Sequence, residues 1–117
     1  MKITRLYSGD DGESHFGELD IPMEDMGGGV GVVSKLQAAT GMFFRNTDSD
    51  YDLDWHTAPR RQYIIILEGA VEIETGDGTR RRFGPGDVFL AEDLTGRGHI
   101  SRAVDNQPRR SIFIPID

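Results

Sequence analysis

Between Arg61 and Ala91 short apolar runs are cut at close intervals by glycine turns, and that rhythm leaves no room for a helix at the centre of the chain. Tyr63-Ile64-Ile65-Ile66-Leu67 is a run of strong β-formers. It is apolar on both faces, which predicts a strand buried on both sides. Glu68-Gly69 ends it. Val71-Glu72-Ile73-Glu74-Thr75 then alternates strictly, giving one dry and one wet face. Gly76-Asp77-Gly78 is a tight turn, and Thr79 to Phe83 returns. Gly84-Pro85-Gly86-Asp87 turns again, and Val88 to Ala91 is a further short strand. The stretch from Arg61 to Arg82 reads as a hairpin.

The same pattern extends outward. Ile3–Tyr7, His15–Ile21, Gly41–Arg45, Tyr51–His56, His99–Val104 and Ser111–Ile116 are further strands by composition. Short strands with closely spaced turns indicate a sandwich or barrel. Helical spacing is confined to Val30–Ala39, which Gly31 interrupts, so a short helix or turn is the most it predicts. The reading is all-β. With 117 residues, the chain is one domain's worth. Residues 1–50 read as an acidic N-terminal extension with added strands, and residues 51–117 as the barrel region. Gly27-Gly28-Gly29 is a connector with no phosphate-loop context.

Charge narrows the partners. The net charge is −7. Residues 1–59 carry all of it, with eleven acidic and four basic side chains; residues 60–117 hold nine of each. Nucleic acid and anionic membrane surfaces are therefore poor partners. No apolar run reaches the ~20 residues of a membrane helix, and the N-terminus has no apolar signal core. A cytoplasmic location is the expectation. There are no cysteines and only three histidines: His15, His56 and His99. Thiolate chemistry is excluded, and any imidazole site must use those three.

Two of the histidines fall in a recognisable frame. His56-Thr57-Ala58, Pro59-Arg60-Arg61, Gln62, six residues and Gly69 follow the spacing of the first motif of the cupin family. Pro85-Gly86-Asp87, Val88–Ala91, a loop and His99 follow the second. The chain from about Trp55 to His99 thus resembles a small single-domain cupin with a degenerate metal motif. The resemblance implies a cupin-type β-barrel, also described as a double-stranded β-helix or jelly roll, with N-terminal strands added. Several positions depart from the family pattern. Ala58 stands in place of the second histidine, Gln62 in place of the glutamate, and Asp50 in place of a glycine. Gly96-Arg97-Gly98 replaces Pro-x-Gly, Ala103 replaces an asparagine, and the loop Glu92–Gly98 is about two residues longer than in the family.

The chemistry implied is correspondingly open. The resemblance allows one divalent metal (iron, zinc, nickel or manganese) on His56, Gln62 and His99. This is a weaker donor set than three imidazoles and a carboxylate. Residues 54, 56 and 58 share a face of an extended strand, so Asp54 is expected to restore a negative ligand, and His15 is a possible third imidazole. Without metal, His56 or His99 beside Asp54, Tyr51 or Tyr63 suits acid–base catalysis. Arg60, Arg61 and Arg97 flank the histidines and are candidates, with Tyr63, to bind an anionic ligand. Most other arginines, Arg80–Arg82 and Arg109-Arg110 included, are expected to pair with surface acids such as Glu72 and Glu74. The functional expectation is a cupin that binds a small oxygenated or anionic metabolite, with lyase, isomerase or dioxygenase chemistry. The alternative is a non-catalytic binding or sensing module without metal. A homodimer is expected because small barrels leave an exposed sheet.

Overall fold

The computed structural model describes all 117 residues. Twelve strands and no helix make up the chain. In order they are β1 (Lys2–Ser8), β2 (Ser14–Asp20), β3 (Glu24–Asp25), β4 (Val32–Val33), β5 (Phe43–Thr47) and β6 (Asp52–His56). They continue with β7 (Gln62–Glu68), β8 (Val71–Glu74), β9 (Arg80–Phe83), β10 (Val88–Glu92), β11 (His99–Ala103) and β12 (Arg109–Pro115). No helix is long and apolar enough to cross a membrane. Val30–Ala39 forms no helix. Val32–Val33 instead pairs with Glu24–Asp25 as a small separate hairpin, because Gly31 turns the chain with a φ of 86° and the β-branched valines favour extended backbone.

Two sheets face each other. The larger has the order β2-β1-β10-β7-β12-β5, and the smaller β6-β11-β8-β9. From β5 onward the chain passes repeatedly between them, which makes a cupin-type jelly roll. The first fifty residues supply β1, β2 and β5 to the larger sheet, with β1 running parallel to β10.

The apparent hairpin at 61–82 divides between the two sheets: β7 pairs with β10 and β12, while β8 pairs with β9 and β11. Gly69 makes the crossing, with φ of 73°. A Cβ there would overlap the Pro108 carbonyl oxygen, so only glycine fits. The hairpin that does form is β8–β9, closed by Gly76-Asp77-Gly78.

Strand β7 is dry on one face only. Gln62, Ile64 and Ile66 are buried, whereas Tyr63 and Ile65 are half-buried and Leu67 is 43% exposed. Ile64 and Ile66 join Leu6, Val71, Ile73, Phe83 and Phe89 in one core. Each fully buried side chain of that kind contributes about 1.5–3 kcal/mol. On the outside of the larger sheet the cross-strand register aligns Phe44, Ile112, Ile65 and Val88 in one apolar row.

Candidate functional site

Antiparallel pairing of β6 with β11 places His56 directly opposite His99. Their rings lie 4.3 Å apart between centroids, tilted by 56°. Such closeness depends on Gly98, whose φ is 82°. Any side chain at 98 would collide with the backbone carbonyl of His56.

The extended loop after β10 supplies a residue that motif spacing does not mark as part of the site. Asp93 is fully buried, and its Oδ2 accepts hydrogen bonds from His99 Nδ1 (2.5 Å) and from Ser14 Oγ (2.7 Å). Its backbone carbonyl accepts the N–H of Ala58 at 3.1 Å. Main chain and side chain are both fixed, so His99 has little rotational freedom. Ser14 is also fully buried and comes from β2, so the N-terminal hairpin holds part of the site.

His56 is oriented differently. Its Nδ1 lies 2.7 Å from the Asp54 backbone carbonyl. A carbonyl only accepts, so Nδ1 carries the hydrogen and Nε2 keeps its lone pair. Burial lowers the His56 pKa below 6.5, with the neighbouring His99 adding to the effect and the Asp54 carbonyl opposing it. A neutral ring is favoured at this position.

Both rings open into a cavity of about 370 Å³. Gln62 lies beside them, Phe43, Ile64, Ala91 and Phe113 form an apolar wall, and the exposed Arg45 and Arg60 reach its rim. Arg60 stands 5.3 Å from the Phe43 ring centroid. This combination of mostly apolar wall and few polar groups is typical of small-ligand sites.

The structure thus gathers His56, Gln62, His99 and Arg60 around one cavity, and sets the other candidates elsewhere. Asp54 is exposed, and its carboxylate accepts the Trp55 N–H at 2.9 Å. The register between β6 and β11 slips by one residue between His99 and Ser101, a β-bulge that places Asp54 and Trp55 opposite Ile100. The bulge breaks the alternation that would have put Asp54 on the His56 face. Arg61 bonds Glu92 and Asp117. Arg97 bonds Glu13 and covers the Trp55 ring at 3.9 Å. Tyr63 lies on the outer face of β7 and donates to Gln37. His15 pairs with Asp11 at 2.9 Å, outside the cavity lining. Tyr51 bonds Ser101 Oγ at 2.7 Å.

Sequence reasoning missed Ser14 and Arg45; it left Glu92-Asp93 open between facing the pocket and capping a turn, and Asp93 holds His99. The usable signal was the two-residue lengthening of the loop that starts Glu92-Asp93.

As metal donors the cavity offers the Nε2 atoms of His56 and His99 and the amide oxygen of Gln62, all neutral. No group of three or more His, Cys, Asp or Glu side chains converges anywhere in the chain. The one carboxylate nearby, Asp93, is engaged by His99 and Ser14. The set falls short of the three-imidazole and carboxylate centre that the family pattern implies.

No protein-family model matches the chain. No curated protein matches it either. Among solved structures, a protein from Neisseria meningitidis is similar, with 17% identity, a TM-score of 0.51, and coverage of 65% of this chain and 72% of that one. A conserved protein of unknown function from Streptococcus pyogenes also aligns with 17% identity and a TM-score of 0.51, over 72% of this chain and 69% of that one. A putative ethanolamine utilization protein Q from Salmonella typhimurium aligns over 100% of this chain and 98% of that one, with 13% identity and a TM-score of 0.45. The first two likenesses show a shared fold, and the strand order of the two facing sheets makes it a cupin-like β fold.

Proposed function

We propose that the cavity binds a small oxygenated, anionic metabolite and that His99, oriented by Asp93, moves a proton on it. The observation that carries this reading is the buried Ser14–Asp93–His99 chain ending at a ligand-sized cavity. With Nδ1–H held by Asp93, His99 presents Nε2 as the base, and Asp93 steadies the ring once it is charged. The Gln62 amide donates to a carbonyl oxygen of the ligand, and neutral His56 forms the second wall. Arg60 and Arg45 attract the negative group. Proton abstraction next to a carbonyl, as in an isomerase or lyase, is the reaction class these groups suit.

The test is deuterium incorporation into small 2-oxo acids in D₂O, followed by NMR. Wild-type protein is expected to accelerate exchange over buffer, and His99→Gln to lose the effect. Saturable binding with no exchange anywhere in the panel would sink the catalytic reading and leave a binding or sensing module.

A second reading has one observation in its favour. Both imidazoles spend Nδ1 on the protein and leave Nε2 toward the cavity, the arrangement common in histidines that ligate metal. Iron, zinc, nickel or manganese would then sit weakly on His56, His99 and Gln62. Elemental analysis of protein purified without chelators decides it: stoichiometric metal lost in His56→Ala supports the reading, and metal-free protein with an unresponsive melting temperature removes it.

The apolar row Phe44, Ile112, Ile65 and Val88, with Phe44 79% exposed, supports a homodimer as the working form. A mass near 13.0 kDa by light scattering at micromolar concentration would overturn that.

A further inference from the structure

Arg109 lies on the inner face of β12 and is only 6% exposed, yet no carboxylate pairs with it. Its neighbour Arg110 points outward and bonds Glu68 at 2.9 Å. Arg5, Arg80, Arg82 and Arg102 on the strands, and Arg61 just before β7, likewise each hold an acid. A guanidinium keeps its proton under any ordinary condition, and an unpaired buried charge is costly. Burial does push the Arg109 pKa down, and the facing Arg45 adds to this, while Tyr51 opposes both.

The surroundings are unsatisfied in the same sense. The Nε of Arg109, the hydroxyl of Thr47 and the hydroxyl of Ser111 are buried without hydrogen-bond partners. Cross-strand register pairs Arg109 with Thr47 and Ser111 with Arg45. Four polar side chains therefore form a square on the inner face of β5 and β12. Arg45 and Arg109 both stack on Tyr51, with guanidinium carbons 5.7 Å and 5.1 Å from its ring centroid. A small inner cavity of about 50 Å³, lined mostly by apolar side chains, reaches Arg109 and Ser101 but none of Arg45, Thr47 and Ser111. It shares Ile64, Ala91, His99 and Phe113 with the histidine cavity. The inner cavity has room for one small planar group, since a water molecule occupies roughly 30 Å³ in the liquid.

We infer that Arg109, with the charge of Arg45 beside it, forms an anion pole at the inner cavity that takes the carboxylate of a small organic acid, whose body lies in the larger cavity against His56 and His99. The inference rests on the ligand cavity proposed above and names the group by which the ligand is held. Arginine is suited to the task because its fork matches the two oxygens of a carboxylate. The unpaired charge of Arg109 is then satisfied.

The test uses acetate, malonate and succinate as probes, with acetamide as the neutral counterpart and inorganic phosphate as the competing anion. Melting temperature of the full chain is followed at constant ionic strength. At least one of the three carboxylates is expected to raise it saturably, and acetamide is not. Apparent affinity should fall about tenfold or more in Arg109→Met, consistent with loss of a bidentate charged contact. It should fall by a smaller factor in Arg45→Gln and stay unchanged in Arg110→Gln. Without carboxylate, Arg109→Met should melt no lower than wild type. If that variant fails to fold, Arg45→Gln carries the test, because residue 45 is exposed. No saturable response to any carboxylate, an undiminished response in the variant tested, or a response to phosphate alone would overturn the assignment. A neutral carbonyl compound that exchanges deuterium while carboxylates fail to bind would overturn the anion pole and leave proton transfer at His99 standing. Carboxylate binding without exchange would do the reverse.

Discussion

The molecule contains the same chemical pair twice, in two settings. His15 and Asp11 meet at 2.9 Å near the N-terminal turn, with side chains 29% and 56% exposed. His99 and Asp93 meet inside the barrel, at 8% and 0%. At the surface, water competes for every lone pair, and the contact is local in sequence. Asp11 has its pKa lowered chiefly by the hydrogen bond from His15, and His15 has its pKa raised by the same bond. Inside, Asp93 answers two buried donors and its main chain is held as well. Contact distance alone does not separate a positioned pair from an incidental one; what else depends on the carboxylate does.

That contrast sets an order of effects. Asp93→Ala leaves the His99 Nδ1–H and the Ser14 hydroxyl buried and unpaired, so it should destabilise the fold by about 3 kcal/mol. Denaturant midpoints measure the loss; a value under about 1 kcal/mol would reduce the buried pair to the rank of the surface one. Ser14→Ala removes one of the two donors and should cost about 1 kcal/mol by the same measurement. In the Asp93→Ala background the same change should cost nothing or recover some stability, because the hydroxyl it removes is already unpaired.

The histidines also divide by pH. Folding holds His56 below its ordinary 6.5. As pH falls through 6.5 the unfolded chain takes the proton first, so stability is intact above that value and declines below it. Denaturant midpoints from about pH 8 to pH 5 should show this decline, and His56→Gln should flatten it. His15 has the opposite sign: its raised pKa gives stability below 6.5 that is lost as pH rises. The smallest effect is expected from Asp11→Asn, which should leave the midpoint nearly unmoved at pH 8, because the contact it removes is open to water. A shift there as large as that of Ser14→Ala would erase the contrast between the two pairs.

Local pattern carried much of the fold. Strands β7 to β10 and the glycine turns between them follow from alternation and from β-formers, because those preferences act within a few residues. Pairing partners did not follow. Nothing in Lys2–Ser8 marks it to lie parallel beside Val88–Glu92, and nothing in Glu68-Gly69 distinguishes a sheet crossing from a hairpin turn until Pro108 is seen packed against it. In the site, His56, Gln62 and His99 were legible from spacing. Asp54 was misplaced because a one-residue bulge is invisible to a rule of alternation. Arg109 looked like a partner for surface acids because its neighbour Arg110 is one; which of two adjacent arginines faces inward depends on the register of β12.

Ser14 stands 79 residues before the carboxylate it holds. During synthesis the N-terminal hairpin is therefore made long before its counterpart exists, and the ordering of His99 must wait until β10 and β11 have left the ribosome and closed onto it. A truncated or stalled chain can form the local hairpin β8–β9, yet it cannot fix His99 in place. Synthesis through β11 is itself a condition for assembling the buried Ser14–Asp93–His99 chain.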